Sequence, residues 1–301
     1  MSKPPARWRA DLLLALVALL WGSTFVVVKD VLGDISTMYF LALRFAVASL
    51  CLFVILLPAL RRAGATAVWR GLRGGFVAGI FLWLGFLLQT FGLRYTTAGN
   101  SGFITGLYIV LVPLIAAAAY RRWPKAPELG GVGIAAIGMT LLTLPSLHGG
   151  SQFNVGDLLT AACAVAFAIH LLLLGYFSQR ERFEAVALGQ IVCACVLSTL
   201  SLPIEHPAVI WSGRVFVAIL VTGLFATALA FTLQSWAQQY TTPTRTAVIL
   251  ALEPVFALAT AVLVGGEALT VSSVAGGALI LGGILLVELK PGSMRLQSSG
   301  G

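Results

Sequence analysis

The sequence has very few charged residues. Only 10% of its 301 residues are Asp, Glu, Lys or Arg, whereas 59% are hydrophobic; an average soluble domain has about 25% charged and about 45–50% apolar residues. So few charges cannot cover the surface of a folded chain of this length in water, and the composition excludes a soluble globular protein. We therefore expect the chain to be integrated in a lipid bilayer.

The sequence also lacks the motifs of common enzymes and ATP-driven pumps. It contains no P-loop pattern, no HExxH and no Ser-centred GxSxG, which are the signatures of phosphate binding, metal ligation and nucleophilic catalysis. Cysteine is scarce as well, and the four cysteines have no metal-ligand spacing, so we interpret them as small apolar residues inside helices. We predict no enzyme activity, no cofactor and no bound metal.

What the sequence does contain is a series of long apolar runs. About 20 consecutive apolar residues of helix cross the core of a bilayer, and ten runs of about this length alternate with short polar connections. No connection is long enough for a separate soluble domain. The predicted spans are residues 11–30, 36–57, 74–93, 100–120, 129–147, 157–177, 185–203, 215–236, 244–264 and 271–289.

Lysine and arginine are distributed unequally between the connections. If the N-terminus is cytoplasmic, 15 of the 19 basic residues fall in the tails and inner loops, two in the outer loops and two within or at the edge of spans. Because basic residues are retained on the cytoplasmic side, this bias predicts that both termini are cytoplasmic. Nucleic-acid binding would need these residues clustered on one soluble face, so we predict no nucleic-acid partner despite the net charge of +8.

One ten-residue segment occurs twice. Residues 88–97 read LQTFGLRYTT and residues 233–242 read LQSWAQQYTT, at an offset of 145 residues that carries the similarity far along the chain. The chain is thus two related halves of five spans, 11–147 and 157–289. Since five is odd, the second half enters the membrane from the opposite side, as in the inverted repeats of many secondary transporters. The sequence predicts an all-α integral membrane protein of ten transmembrane helices in two inverted five-helix repeats.

Ionisable residues inside the spans are costly in hydrocarbon and are therefore functional candidates. Glu253 lies near the middle of the ninth span, and Pro254 predicts a kink that frees a backbone carbonyl beside it. This suits a cation, a proton or a substrate amine; the alternative is internal pairing. Arg44 is either a ligand for a substrate carboxylate or a structural residue that forms a fixed ion pair or hydrogen bonds to helix-end carbonyls. His170, with Thr24 as its repeat partner, is either a proton relay or a hydrogen-bonded core residue.

Further candidates come from polar residues related by the repeat. Tyr108 occupies in the first half the position of Glu253 in the second, so the predicted site is chemically asymmetric. Gln89 and Gln234 are also repeat partners, near the outer end of span three and the inner end of span eight. They predict matched hydrogen bonds at two gates, with interhelical contacts of about 0.6–2 kcal/mol as the competing interpretation.

Several aromatic residues lie inside spans rather than in the interfacial belts expected for Trp and Tyr. Trp21 and Trp83 belong to this group. Facing a cavity, they would suit an amphipathic or aromatic substrate; facing lipid, they would be filler. The complete set of candidate substrate-binding or gating residues is Trp21, Thr24, Arg44, Trp83, Gln89, Tyr108, His170, Gln234 and Glu253.

The order of short motifs along the chain resembles a known family. The first span carries LWGSTF (residues 20–25) followed by Lys29, the second carries LRF (43–45), YTTA (95–98) precedes the fourth, and the ninth carries Glu253-Pro254. In this order they resemble the EamA-like, ten-helix branch of the drug/metabolite transporter superfamily, over nearly the whole chain. The resemblance implies two EamA-like repeats and carriage of small metabolites, often amino acids, usually outward.

These features together predict a secondary transporter that moves a small metabolite by alternating access, with an exported amino acid or related metabolite as the first expectation. The expected partners are the small-molecule substrate, the lipid bilayer of the inner (plasma) membrane and protons as a candidate coupling ion, with the chain as a monomer or homodimer. Three alternatives stay open. They are an uptake permease for a sugar or other nutrient, a membrane enzyme with Glu253 and His170 as an acid/base pair, and a scaffold without a central polar cavity.

Overall fold

The structure is a computed structural model, and it describes residues 7–96, 98–121, 123–147, 154–265 and 270–289. Within these ranges nearly every residue is helical, and the one extended pairing that occurs there is a bridge between Ile35 and Val209. The helices in chain order are α1 (Arg7–Val31), α2 (Thr37–Ala63), α3 (Ala65–Tyr95), α4 (Ala98–Gly106), α5 (Tyr108–Tyr120), α6 (Ala126–Leu147), α7 (Val155–Ser178), α8 (Phe183–Leu200), α9 (Gly213–Gly223), α10 (Ala230–Ala237), α11 (Pro243–Leu250), α12 (Glu253–Gly265) and α13 (Val271–Leu289).

Three pairs of these helices each form one membrane crossing. α4 continues into α5, α9 continues into α10 through a π-helical segment at Leu224–Leu229, and α11 continues into α12. In the described part of the chain, seven helical segments are long and apolar enough to cross a bilayer, and the apolar parts of α6 and α13 are shorter. With the interrupted α11–α12 crossing, the helices account for the ten predicted spans.

Helix starts in this apolar chain are marked by polar caps. Asn154 accepts hydrogen bonds from the backbone N–H groups of the first turn of α7, and Asp157 bonds back to the Asn154 N–H, completing a capping box. Ser212 caps α9 and Thr242 caps α11 through their hydroxyl oxygens. These caps satisfy backbone donors that would otherwise be left unpaired next to hydrocarbon.

Packing between the two halves follows the repeat. α6 packs along its own repeat partner α13, and α2 packs along its partner α8. The other contacts come in pairs that the repeat relates. The contact of α3 with α7 corresponds to that of α10 with α1, and the contact of α3 with α8 corresponds to that of α9 with α2. The contact of α7 with α4 and α5 corresponds to that of α1 with α12. This pairing is expected for a pseudo-two-fold axis in the membrane plane. The predicted all-α fold of two inverted five-helix repeats is confirmed.

The contact between α6 and α13 depends on glycine. A Cβ atom on Gly131 would lie 2.7 Å from the carbonyl oxygen of Gly283, and a Cβ atom on Gly283 would lie 2.6 Å from that of Gly131. Only glycine allows the two backbones to approach this closely, as at other close helix contacts in membranes. The fifth span of each half is thereby held against the other.

Buried apolar side chains form two clusters with a space between them. We call the face where α1 begins and α13 ends the terminal face, and the other the distal face. One cluster joins the first half of α1, including Leu14 and Val17, to α5, α6, α7, α10, α11 and α13. The other joins α2 to α3, α8 and α9 around Phe45 and Leu82. Trp21 packs against both clusters, which brings it to the boundary between them.

Candidate functional site

Two crossings are interrupted at repeat-related positions. α4 ends at Gly106 and α5 begins at Tyr108, while α11 ends at Leu250 and α12 begins at Glu253. The second interruption agrees with the kink expected at Pro254, which has no N–H to donate to the Leu250 carbonyl. The first was not predicted, because the first half has no proline at the matching position. Tyr108 and Glu253, which the repeat pairs in sequence, both stand at the start of a half-helix.

Both interruptions border one cavity inside the membrane. Its volume is about 70 Å³, and its apolar wall with a few polar groups, rather than its size, is what resembles a small-molecule site. Aromatic rings form much of the wall, and polar side chains are distributed among them. Eight of the nine sequence candidates line the cavity: Trp21, Thr24, Arg44, Gln89, Tyr108, His170, Gln234 and Glu253.

Trp83 is the candidate that does not line the cavity. Its ring packs against the apolar cluster around α2, α3 and α8, and its indole N–H has no hydrogen-bond acceptor in the described part of the chain. Both Trp21 and Trp83 lie within spans, and only the rotation of the two helices distinguishes their surroundings. In this conformation Trp83 is therefore not brought to the cavity, and a role in substrate binding stays a prediction.

The cavity lies in the distal half of the membrane. Its lining residues on α1 run from Trp21 to Val28, in the second half of that helix, and those on α3 run from Phe86 to Leu93 near its distal end. Towards the terminal face, the first half of α1 is packed in the apolar cluster, and Leu14 is completely buried there. The cavity is therefore closed towards the terminal face.

Arg44 is a buried cation at the cavity wall. Its Nε–H donates to Thr227 Oγ1 at 2.7 Å, and its guanidinium carbon lies 4.4 Å from the centre of the Phe86 ring. Thr227 Oγ1 in turn donates to the Thr222 carbonyl at 2.7 Å. Among the described residues Arg44 forms no ion pair, so the expected structural pairing is not formed there. No hydrogen bond from its terminal N–H groups is formed within the described part of the chain.

The π-helical segment Leu224–Leu229 positions two of the lining residues. Its Ala226 carbonyl accepts a hydrogen bond of 2.9 Å from the Trp21 indole N–H, and its Thr227 holds Arg44. Single π-helical turns inside α-helices occur frequently at functional sites. The sequence analysis missed this segment, because a π turn has no composition of its own and the repeat-related part of α3 is an ordinary α-helix.

Glu253 presents a carboxyl group to the cavity without a protein partner among the described residues. The helix start that carries it lies directly against α1, since a Cβ atom on Gly22 would overlap the Glu253 carbonyl oxygen. The glycine of the LWGSTF motif therefore allows α1 to approach this half-helix. In the described part of the chain no hydrogen bond joins Glu253 to His170, which bonds instead to Gln190, so the acid/base pair of the enzyme alternative is not formed.

The two repeat-related glutamines lie at the same cavity rather than at separate gates. Gln89 Nε2 donates to Thr105 Oγ1 at 3.1 Å, whereas Gln234 Oε1 is buried without a partner among the described residues. The difference arises because the repeat counterpart of Thr105 is Leu250, which has no hydroxyl group. The two glutamines therefore do not form matching hydrogen bonds in this conformation, their gating role stays a prediction, and Gln234 Oε1 is a buried acceptor without a partner among the described residues.

The fold and the cavity define a multi-pass membrane protein built from an inverted repeat around a central polar site. The chain matches the model of the EamA-like transporter family over residues 8–144 and 154–289, and it belongs to that family. It is 38% identical over 284 residues to an uncharacterized transporter of Archaeoglobus fulgidus, covering 94% of this chain and 87% of that protein.

More distant proteins share the same organisation. The chain is 22% identical over 279 residues to the uncharacterized transporter YoaV of Bacillus subtilis, covering 90% of this chain and 93% of that protein. It also resembles a protein of known crystal structure with a TM-score of 0.78 at 22% identity, covering 94% and 98% of the two chains. At that identity the likeness shows the fold alone. The family assignment agrees with the resemblance seen in the sequence motifs.

Proposed function

We propose that the protein transports a small zwitterionic metabolite, of which an amino acid is the simplest example. One observation carries this proposal: the same buried cavity is lined by a cation, Arg44, and a carboxyl group, Glu253, and neither forms an ion pair with the described residues. Unpaired charged groups are expensive in a membrane interior. A substrate with one anionic and one cationic group would compensate both.

The remainder of the wall supports an amphipathic substrate. The rings of Phe86, Phe167 and Phe231 form an apolar surface, and Phe86 contacts both of the others edge to face. A substrate side chain would pack against this surface while its carboxylate bound Arg44 through paired N–H donors. A sugar would use neither charge, so an uptake permease for sugars is the weaker candidate.

Alternating access follows from the repeat. Two copies of one fold related by an axis in the membrane plane can exchange conformations, so that a site between them opens to one face and then to the other. With both termini in the cytoplasm of an inner-membrane protein, the cavity described above is closed to the cytoplasm. The substrate gradient, with or without protons, would drive transport, and export is the direction implied by the family resemblance.

The proposal is tested by counterflow into proteoliposomes with labelled amino acids, sugars and cationic drugs. We expect exchange of amino acids by the wild type and a loss of about 10-fold or more in Glu253→Gln, the scale of a hydrogen bond to a charged group. Trp83→Phe is the matched control, because this residue is a half-buried aromatic of α3 that does not line the cavity. If only sugars were exchanged, the proposed substrate class would be wrong. If amino-acid exchange were unaffected by Glu253→Gln, Glu253 would not be part of the substrate site.

A further inference from the structure

Gln190 is a buried polar residue of α8 that lies outside the cavity and contacts one of its lining residues. Its side chain is completely buried, its Oε1 lies 2.7 Å from His170 Nε2, and its Nε2 donates to Ser235 Oγ at 3.1 Å. The close packing of α3 holds the backbone at this point, since a Cβ atom on Gly79 would lie 2.7 Å from the Gln190 carbonyl oxygen. Gln190 is therefore fixed between a serine and a histidine.

Ser235 determines which way the Gln190 amide points. The Ser235 hydroxyl donates its single hydrogen to the Phe231 carbonyl at 2.6 Å, so its oxygen can only accept from Gln190. The NH₂ group of Gln190 must face Ser235, and its carbonyl oxygen must face His170. Since a carbonyl oxygen only accepts hydrogen bonds, His170 Nε2 has to donate, and the ring carries its proton on Nε2.

This arrangement leaves the other ring nitrogen as a hydrogen-bond acceptor. His170 lines the cavity, and no hydrogen bond to its Nδ1 is formed within the described part of the chain. In a neutral imidazole with a proton on Nε2, Nδ1 carries the lone pair. Glu253 and Gln234, whose Oε1 has no partner among the described residues, line the same cavity and supply further acceptors, whereas Arg44 supplies donors.

We infer that Gln190 is a positioning residue that holds His170 in the Nε2–H form, so that Nδ1 accepts a hydrogen bond from the ammonium group of the transported zwitterion. This inference rests on the proposed function for the identity of the substrate group, but not for the state of the ring. The preference for substrates with an amino group would therefore depend on Gln190, which does not contact the substrate.

The state of the ring is measured by ¹⁵N NMR of histidine-labelled protein in nanodiscs. The sequence has three histidines, so substituting His148 and His206 by asparagine leaves His170 as the single signal. We expect a protonated Nε2 and an unprotonated Nδ1, and Gln190→Met should lower the ratio of this form to the other tautomer by about 10-fold. Ser235→Ala should shift the ratio in the same direction if Gln190→Met does not fold.

A control and a transport measurement complete the test. Gln238 is also completely buried and donates to α7 at the Leu171 carbonyl, so Gln238→Met should leave the ring unchanged. The transport measurement compares L-leucine with 4-methylpentanoate, which differs only in lacking the amino group. The ratio of leucine counterflow to 4-methylpentanoate counterflow should fall about 10-fold in Gln190→Met and remain unchanged in Gln238→Met.

The outcomes separate the inference from the proposed function. A proton on Nδ1 in the wild type, or equal tautomer ratios in the wild type and Gln190→Met, would overturn the positioning role whatever the protein transports. The expected tautomers with an unchanged preference for leucine would overturn the assignment of Nδ1 to the amino group. If the wild type moves neither compound, the amino-acid substrate and its contact with Nδ1 fail, while the spectra still decide the role of Gln190.

Discussion

The ion pair between Asp11 and Arg245 is expected to hold the terminal face closed. Arg245 Nε donates to Asp11 Oδ1 at 3.0 Å and Arg245 Nη2 donates to Asp11 Oδ2 at 2.6 Å, which joins the start of α1 to the start of α11. The repeat counterpart of Asp11 is Asp157, which at the distal face accepts from Thr96 Oγ1 at 2.6 Å instead. The two repeat-related aspartates therefore hold their faces by different bonds, and the ion pairs of the distal face are formed by other residues, Arg94 with Glu205 and Arg214 with Asp30 and Asp34.

The burial of this ion pair determines how strongly its removal should favour opening of the terminal face. Both side chains are 14% exposed, so the pair is far better shielded than surface ion pairs, which contribute about 0.2–1 kcal/mol. Hydrogen bonds to charged groups contribute about 1.5–3 kcal/mol. If the pair forms only while the terminal face is closed, removing it raises the equilibrium constant for opening roughly 10- to 100-fold, at about 1.4 kcal/mol for each factor of ten.

Accessibility of a single cysteine measures this opening. In a background with the four native cysteines replaced, Leu14→Cys places a thiol in the apolar cluster between the cavity and the terminal face. A membrane-impermeant maleimide applied from the terminal side should label it about 10- to 100-fold faster in Asp11→Asn and Arg245→Gln than in the unsubstituted background. Inside-out and right-side-out vesicles, labelled separately, also test which face is cytoplasmic.

Two controls show whether the ion pair itself is responsible. Exchanging the charges in Asp11→Arg/Arg245→Asp should slow labelling again, because the pair is restored with reversed polarity. Arg182→Gln removes an ion pair in which the arginine is 48% exposed and should change labelling little. Equal labelling of Asp11→Asn, Arg245→Gln and the unsubstituted background, in folded protein, would refute the gating role. Rapid labelling of the Leu14→Cys thiol in the Asp11→Arg/Arg245→Asp variant would refute the gating role as well.

Three further substitutions test the site. Gly22→Ala should lower the free energy of unfolding by about 1–3 kcal/mol, seen as a lower melting midpoint in detergent, because the new methyl group overlaps the Glu253 carbonyl. Thr227→Val removes the acceptor for Arg44 Nε–H and should raise the counterflow KM about 10-fold, with a lower melting midpoint because a buried donor loses its acceptor. Trp83→Phe removes an indole N–H that has no acceptor among the described residues and should leave counterflow unchanged.

Each of these substitutions has a result that would contradict its premise. A melting midpoint of Gly22→Ala equal to that of the wild type would mean that α1 and α12 are not in close contact. An unchanged KM in Thr227→Val would mean that the threonine does not orient the guanidinium for substrate. A loss of transport in Trp83→Phe with normal folding would place this ring at the substrate path.

Much of the candidate site could be predicted because hydrocarbon penalises polar groups. Arg44, His170 and Glu253 were identified by their cost inside spans, and Tyr108 by its repeat relation to Glu253. All four line one cavity in the structure. Trp83 does not line this cavity; an aromatic side chain is stable both in lipid and in a cavity, so its position along the chain did not indicate its surroundings.

Other features of the site depend on contacts between distant parts of the chain. The role of the π-helical segment is apparent only from its contacts. One of these is the hydrogen bond from the Trp21 indole N–H to the Ala226 carbonyl, 205 residues away in the chain. Gln190 carries no charge, and its role follows only from its contacts with His170 and Ser235. The interruption before Tyr108 has no proline, so backbone chemistry alone did not predict it.

The sequence by itself determined that this chain crosses a membrane ten times as two inverted halves. Apolar runs of bilayer length have to be buried in hydrocarbon, and an odd number of crossings in each half inverts the second one. Only the tertiary structure decided which faces of those helices meet. Helix rotation and close approach, as where α1 contacts α12 at Gly22, bring a guanidinium, a carboxyl group and an oriented imidazole to one cavity. These contacts involve residues far apart in the chain, and no local pattern encodes them.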